Sequence, residues 1–163
     1  MLTVLAAFPA TAGATLAGGR WPYGGNFTLY YYYGGGHRYY GNVWQGAANW
    51  SATPTYVNGS PWPGYPYKIH TAVVDQYTSA TWWGLTTLNP CSYCTYSSST
   101  IYLNPSTLDW ESDFTRTEVA THEFGHVFGL AHTYVSPSIM LQGRLNYNRP
   151  QAYDINDINR LYP

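Results

Sequence analysis

Residues 122–132 read His-Glu-Phe-Gly-His-Val-Phe-Gly-Leu-Ala-His, the pattern H-E-x-x-H-x-x-G-x-x-H. No other stretch constrains the fold as much. Two imidazoles four residues apart lie on one face of a helix, a single turn from each other, so both can address one ion. A helix must therefore run through His122 and His126. It must also stop soon after, because His132 reaches the same point only if the chain turns back. Gly129 allows that stop, since glycine takes positive φ without steric penalty. Glu123 sits beside the first imidazole, where a carboxylate can reach a water held by the ion without binding the ion. Three protein ligands leave a fourth position open, as in catalytic zinc sites and unlike closed structural ones. A lone histidine in an apolar helix is more often a hydrogen-bonded structural residue. Three at this spacing, with the glutamate, point to Zn2+ held by His122, His126 and His132, with Glu123 as general base.

With this motif on the page, and Ser138-Ile139-Met140 ending eight residues past His132, the chain resembles the metzincin metalloproteases. Met140 corresponds to the family's Met-turn, whose thioether forms a soft floor beneath the zinc-binding histidines. Gly125 inside H-E-F-G-H and Thr133 after His132 bring it nearer the matrixin group than the astacin-like or serralysin-like ones. Residues 118–140 carry nearly all of the resemblance. It implies an α+β fold: a twisted mixed β-sheet, two long helices, a small lower subdomain and a C-terminal helix. It implies an endopeptidase that binds a protein or peptide in extended form along an upper edge strand near residues 84–89. It also implies a specificity pocket walled by the segment after the Met-turn, where Tyr147 is the candidate for part of the wall and Arg144 lies close by. Calcium is common in the family. Asp75, Asp109, Glu111 and Asp113 are candidate ligands, and solvated or capping carboxylates explain them equally well. His37 and His70 read as structural or exposed.

The 163 residues suffice for one domain with a real core. A net charge of −1 provides no footprint for nucleic acid or an anionic membrane. Charged residues are only 9%, and eighteen Tyr and seven Trp take over much of the surface and core. Residues 1–14 hold a short apolar run followed by Ala12-Gly13-Ala14, which reads as a secretory signal with an incomplete start. Residues 15–25 are a Gly-rich lead-in, and residues 26–163 form a single catalytic domain. No run is long enough to span a bilayer. Cys91 and Cys94 lack the second pair that a zinc ribbon needs. In a secreted protein they read as a local disulfide pinning a loop. A secreted monomer is the expectation.

Aromatic and β-branched content predicts strands over 26–33, 68–76, 82–88 and 100–103. Apolar periodicity predicts a helix over 39–50, with Val43, Ala47 and Trp50 inward and Trp44 and Ala48 alongside. Residues 51–66 read as irregular, with room for one short strand. The motif helix spans 111–129 with Ser112 or Thr115 as N-cap. A closing helix over 153–162 carries Ile155, Ile158 and Leu161 on one stripe, with Asp154 near its N-terminus. Two other functions are compatible with the chain. One is a non-catalytic binding module that uses a Tyr/Trp-rich surface, residues 30–40 above all. The other is a zinc hydrolase acting on a different amide.

Overall fold

Alternation sets the first strand. In β1 (Phe27–Tyr32) Phe27, Leu29 and Tyr31 are buried while Thr28 and Tyr30 are half-buried and Tyr32 is exposed. That is the period of a pleated strand with one face on a core. The computed structural model describes residues 17–33, 37–89 and 95–163. Residues 1–14 and both cysteines lie outside them.

After β1 the chain crosses over through α1 (Tyr40–Ser51) and returns as β2 (Val57–Pro61). β2 runs parallel to β1, with Phe27 opposite Val57 and Tyr31 opposite Pro61. Parallel neighbours require such a crossover. β3 (Thr71–Asp75), β4 (Gly84–Leu88) and β5 (Ser99–Leu103) complete a sheet of order β2-β1-β3-β5-β4. β3 is parallel to β1 and to β5, and β4 closes one edge antiparallel to β5. Next come a short helix α2 (Pro105–Leu108), the long α3 (Asp113–Val127) and the closing α4 (Ala152–Leu161). The mixed sheet, two long helices and C-terminal helix form the α+β arrangement that the motif implied.

β2 is the short strand for which residues 51–66 left room, whereas α2 was not anticipated. β2 has the sequence Val-Asn-Gly-Ser-Pro, with almost no intrinsic strand preference. Its conformation is imposed by the ladder with β1. In α2, Asn104 caps the helix by accepting from Ser106 N at 3.2 Å, and Pro105 occupies the first turn. Ser112, not Thr115, caps α3, accepting from Thr115 N at 3.2 Å. Trp44 is 49% exposed, not packed beside the inward face of α1.

α1 and α3 lie against each other through a polar seam over an apolar base. Asn42 Nδ2 donates to Thr117 Oγ1 at 3.1 Å, Asn49 Nδ2 to Thr121 Oγ1 at 3.0 Å, and Trp50 Nε1 to Thr121 O at 2.8 Å. Trp50, Phe124 and Phe128 join the core under the sheet. The backbones approach so closely that a Cβ on Gly46 would stand 2.8 Å from the Ala120 carbonyl carbon. We therefore expect Gly46→Ala to destabilise by about 1–3 kcal/mol despite alanine's better helix propensity. Gly41→Ala on the same helix, where the added carbon meets nothing within 4 Å, should be neutral or stabilising by up to about 1 kcal/mol. Urea unfolding of the two variants checks the contrast, and equal effects would mean that the crossing is not tight.

Candidate active site

α3 carries His122, Glu123 and His126, and its end delivers His132. The end is a Schellman turn: Leu130 N donates to Gly125 O at 3.0 Å and Gly129 N to His126 O at 2.9 Å. Gly129 has φ +101°, the left-handed conformation that an L side chain resists. The chain reverses there and brings His132 back over the helix.

The three rings meet at one point. His132 Nε2 lies 3.1 Å from His122 Nε2 and 3.2 Å from His126 Nε2. Two rings are oriented by backbone. His122 Nδ1 is 2.8 Å from Ile139 O, and His126 Nδ1 is 2.8 Å from Leu130 O. A carbonyl only accepts, so each Nδ1 carries the proton and each Nε2 presents a lone pair. Converging lone pairs repel unless a cation lies between them. Ligand nitrogens about 2.1 Å from a tetrahedral zinc sit about 3.4 Å apart, so the donor set fits Zn2+. Among the described residues this is the one cluster of three or more His, Cys, Asp or Glu side chains able to hold a metal.

Burial reinforces the neutral state of the rings. It pushes His122 down to about 3 and His126 to about 4, with nearby imidazoles adding to the shift, and it lowers His132 as well. All three are unprotonated at neutral pH, as metal ligation demands.

Glu123 faces the cleft but is 4% exposed. Its Oε2 accepts from Thr86 Oγ1 at 2.7 Å, and that hydroxyl is also 3.2 Å from Glu123 O. β4 passes so close that a Cβ on Gly84 would sit 2.6 Å from Oε1. Burial raises this carboxyl to about 7, with the Thr86 hydrogen bond opposing. Thr86 was invisible in sequence. It matters only because β4 lies beside α3.

The Met-turn is built from both ends. Thr133 N donates to Met140 O at 3.2 Å, and Met140 N to Ser138 Oγ at 3.0 Å. Met140 is buried, and a Cβ on Gly125 would meet its Sδ at 2.3 Å, so the thioether lies directly against α3. Asp154, read from sequence as a favourable charge near a helix start, does more. It closes a capping box with Gln151, accepts from Ile139 N at 2.8 Å and accepts the Ser138 hydroxyl. Tyr147 does not line the cleft. Its hydroxyl bridges Ser138 N and O at 3.1 and 3.2 Å, and Leu141, Gln142 and Gly143 supply the wall.

The cleft, about 450 Å³, lies between β4, α3 and that wall. Glu118, one turn before His122, also lines it. Glu118 is 3% exposed, Oε1 accepts from Leu145 N at 3.1 Å, and burial raises its carboxyl to about 7. Sequence reasoning overlooked it, although its i−4 relation to His122 puts it on the same face.

The remaining candidates are engaged elsewhere. Asp75 accepts from Tyr33 at 2.6 Å and contacts His37 at 3.1 Å. Asp109 pairs with Arg38 and Tyr39, Asp113 with Arg116, and Glu111 with Arg144 at 2.7 Å. His70 is structural: Nδ1 accepts from Tyr30 N at 3.0 Å and Nε2 meets Tyr23 OH at 3.1 Å. The aromatic stretch 30–40 splits by alternation, with Tyr31, Tyr33 and Tyr39 in the core and Tyr32 and Tyr40 exposed.

A mixed sheet above two helices, with three imidazoles and a glutamate at the cleft, defines a metallopeptidase of the metzincin class. The chain belongs to the matrixin family, whose model matches residues 37–163. Its fold is similar to that in the structure of myroilysin, with a TM-score of 0.58 at 17% identity over 93% of this chain and 98% of that one. No curated protein sequence matches it. No helix among the described residues is long and apolar enough to cross a membrane.

The perturbed groups predict a pH dependence for the metal-free protein. His122 and His126 are neutral when folded but cationic when unfolded below about 6.5, so they remove stability as pH falls from about 6.5 towards 4. Glu118 and Glu123 act oppositely. They stay protonated in the fold up to about 7 but ionise in the unfolded chain above about 4.5, so they remove stability as pH rises through that window. Glu123→Gln abolishes one such ionisation. Urea unfolding should show it gaining about 1–3 kcal/mol on wild type as pH rises from about 5 to 8. Parallel pH curves would place the Glu123 pKa in the ordinary carboxylate range.

Proposed function

We propose that this matrixin is a secreted zinc endopeptidase in which His122, His126 and His132 hold the metal and Glu123 is the general base. The observation that carries the reading is the convergence of three Nε2 atoms beside a buried carboxylate in one cleft. When bound, Zn2+ supplies a Lewis acid that lowers the pKa of coordinated water to about 7 and polarises a scissile carbonyl.

The chain supplies the rest. The Ile139 and Leu130 carbonyls hold two imidazoles in the Nδ1–H tautomer, which raises ligand basicity and fixes ring orientation. Thr86 occupies Glu123 Oε2, so Oε1 is the oxygen that takes a proton from the attacking water and returns it to the leaving amine. With a carboxyl raised to about 7, the acid and base forms are close in free energy near neutrality, which suits a group that must do both. β4 is an edge strand, and Gly84 and Leu85 line the cleft. An extended peptide can add to that edge through main-chain hydrogen bonds and lay its scissile bond beside Glu123. Matrixin membership and the low charge content support extracellular action.

Glu123→Ala should retain zinc, measured by metal analysis after gel filtration, and lose peptide cleavage by about 10²–10⁴-fold. A chelator should abolish wild-type cleavage of a denatured protein, and added zinc should restore it. Zinc retention without chelator-sensitive cleavage by wild type would favour a binding module. Turnover surviving in Glu123→Ala would remove Glu123 as base.

A further inference from the structure

We propose that the cleft selects a basic side chain, lysine or arginine, next to the scissile bond, and that Glu118 is the residue that recognises it. This rests on the endopeptidase reading and adds the substrate class.

Glu118 is only half satisfied. Oε1 accepts from Leu145 N, while Oε2 is buried and has no partner. It is the one carboxylate oxygen in that condition among the described residues. Asp154, equally buried, accepts on both oxygens. Holding the Leu145 segment explains one oxygen of Glu118 and leaves the other waiting for a donor. The described residues provide none. Arg144, the cation nearest in sequence to that segment, is ion-paired with Glu111 at 2.7 Å and lies over the Trp83 ring at 5.6 Å.

Position and lining agree with a long cationic guest. Glu118 stands on α3 about 6 Å along the axis from His122, inside the same cleft. Trp83, Val119 and Leu141 also line it, an apolar surface suited to the methylene stem of lysine or arginine while the charged head meets the carboxylate. An apolar side chain of the same length would fill the space but leave Oε2 unpaired, and sites built around a buried polar group discriminate strongly against guests lacking the partner.

The test begins with the zinc-loaded protein and a peptide library, with cut sites sequenced. Lysine and arginine should be enriched at one of the two positions flanking the cut. In a matched pair of peptides, replacing that arginine by citrulline, which keeps the shape and loses the charge, should lower kcat/KM by about tenfold or more. Glu118→Gln keeps an acceptor for Leu145 N–H. In that variant the arginine-to-citrulline ratio should fall to about threefold or less. Zinc content and thermal unfolding report whether the variant is folded. If it is not, the wild-type peptide pair decides alone. Cleavage without basic enrichment, equal rates on the two peptides, or an unchanged ratio in a folded Glu118→Gln would overturn the proposal and leave the endopeptidase reading standing. Absence of cleavage on every peptide would overturn both.

Discussion

Three imidazoles converge within hydrogen-bonding distance of one another, and two of them, His122 and His126, turn an Nε2 lone pair inward. Desolvation opposes charging of the rings, and backbone carbonyls keep His122 and His126 from rotating away. The rest of the structure makes this tolerable. α3 fixes the spacing of the first two rings, the turn at Gly129 returns the third, and Met140 packs against α3 at Gly125. A divalent cation held there would convert the mutual repulsion into coordination. The folding free energy of the region and its affinity for metal are therefore linked quantities.

The neighbouring carboxyls follow the same physics with the opposite sign. Glu118 and Glu123 lie close together on one helix, and burial favours the protonated form of both. Their partners differ. Glu123 has a hydroxyl donor in Thr86, whereas Glu118 has one backbone amide and an unpaired oxygen. The first environment suits a group that shuttles a proton. The second suits a group completed by a visitor.

What could be read without coordinates was whatever depends on local periodicity. The i, i+4 imidazoles, the helix stop at Gly129, a cap at Ser112 or Thr115 and the strand at β1 all follow from residues within a short window. What could not be read depends on pairing across the chain. β2 is a strand only because β1 lies next to it. Thr86 matters only because β4 crosses α3, and Tyr147 turned out to brace the Met-turn and not to wall the cleft. Trp44 matched the helical stripe and still faces solvent, because the stripe is wider than the face that Gly46 and Ala47 press against α3 and the sheet. Asp154 is the fullest example: helix rules account for its capping box, and nothing local hints at its hold on Ile139.

That hold links the two ends of the catalytic region. Asp154 on α4 accepts from the Ile139 amide, and the carbonyl of the same residue accepts from His122 Nδ1–H. The orientation of the His122 ring is thus tied to a helix that packs in from later in the chain. Disturbing the start of α4 would therefore loosen the first imidazole without touching it.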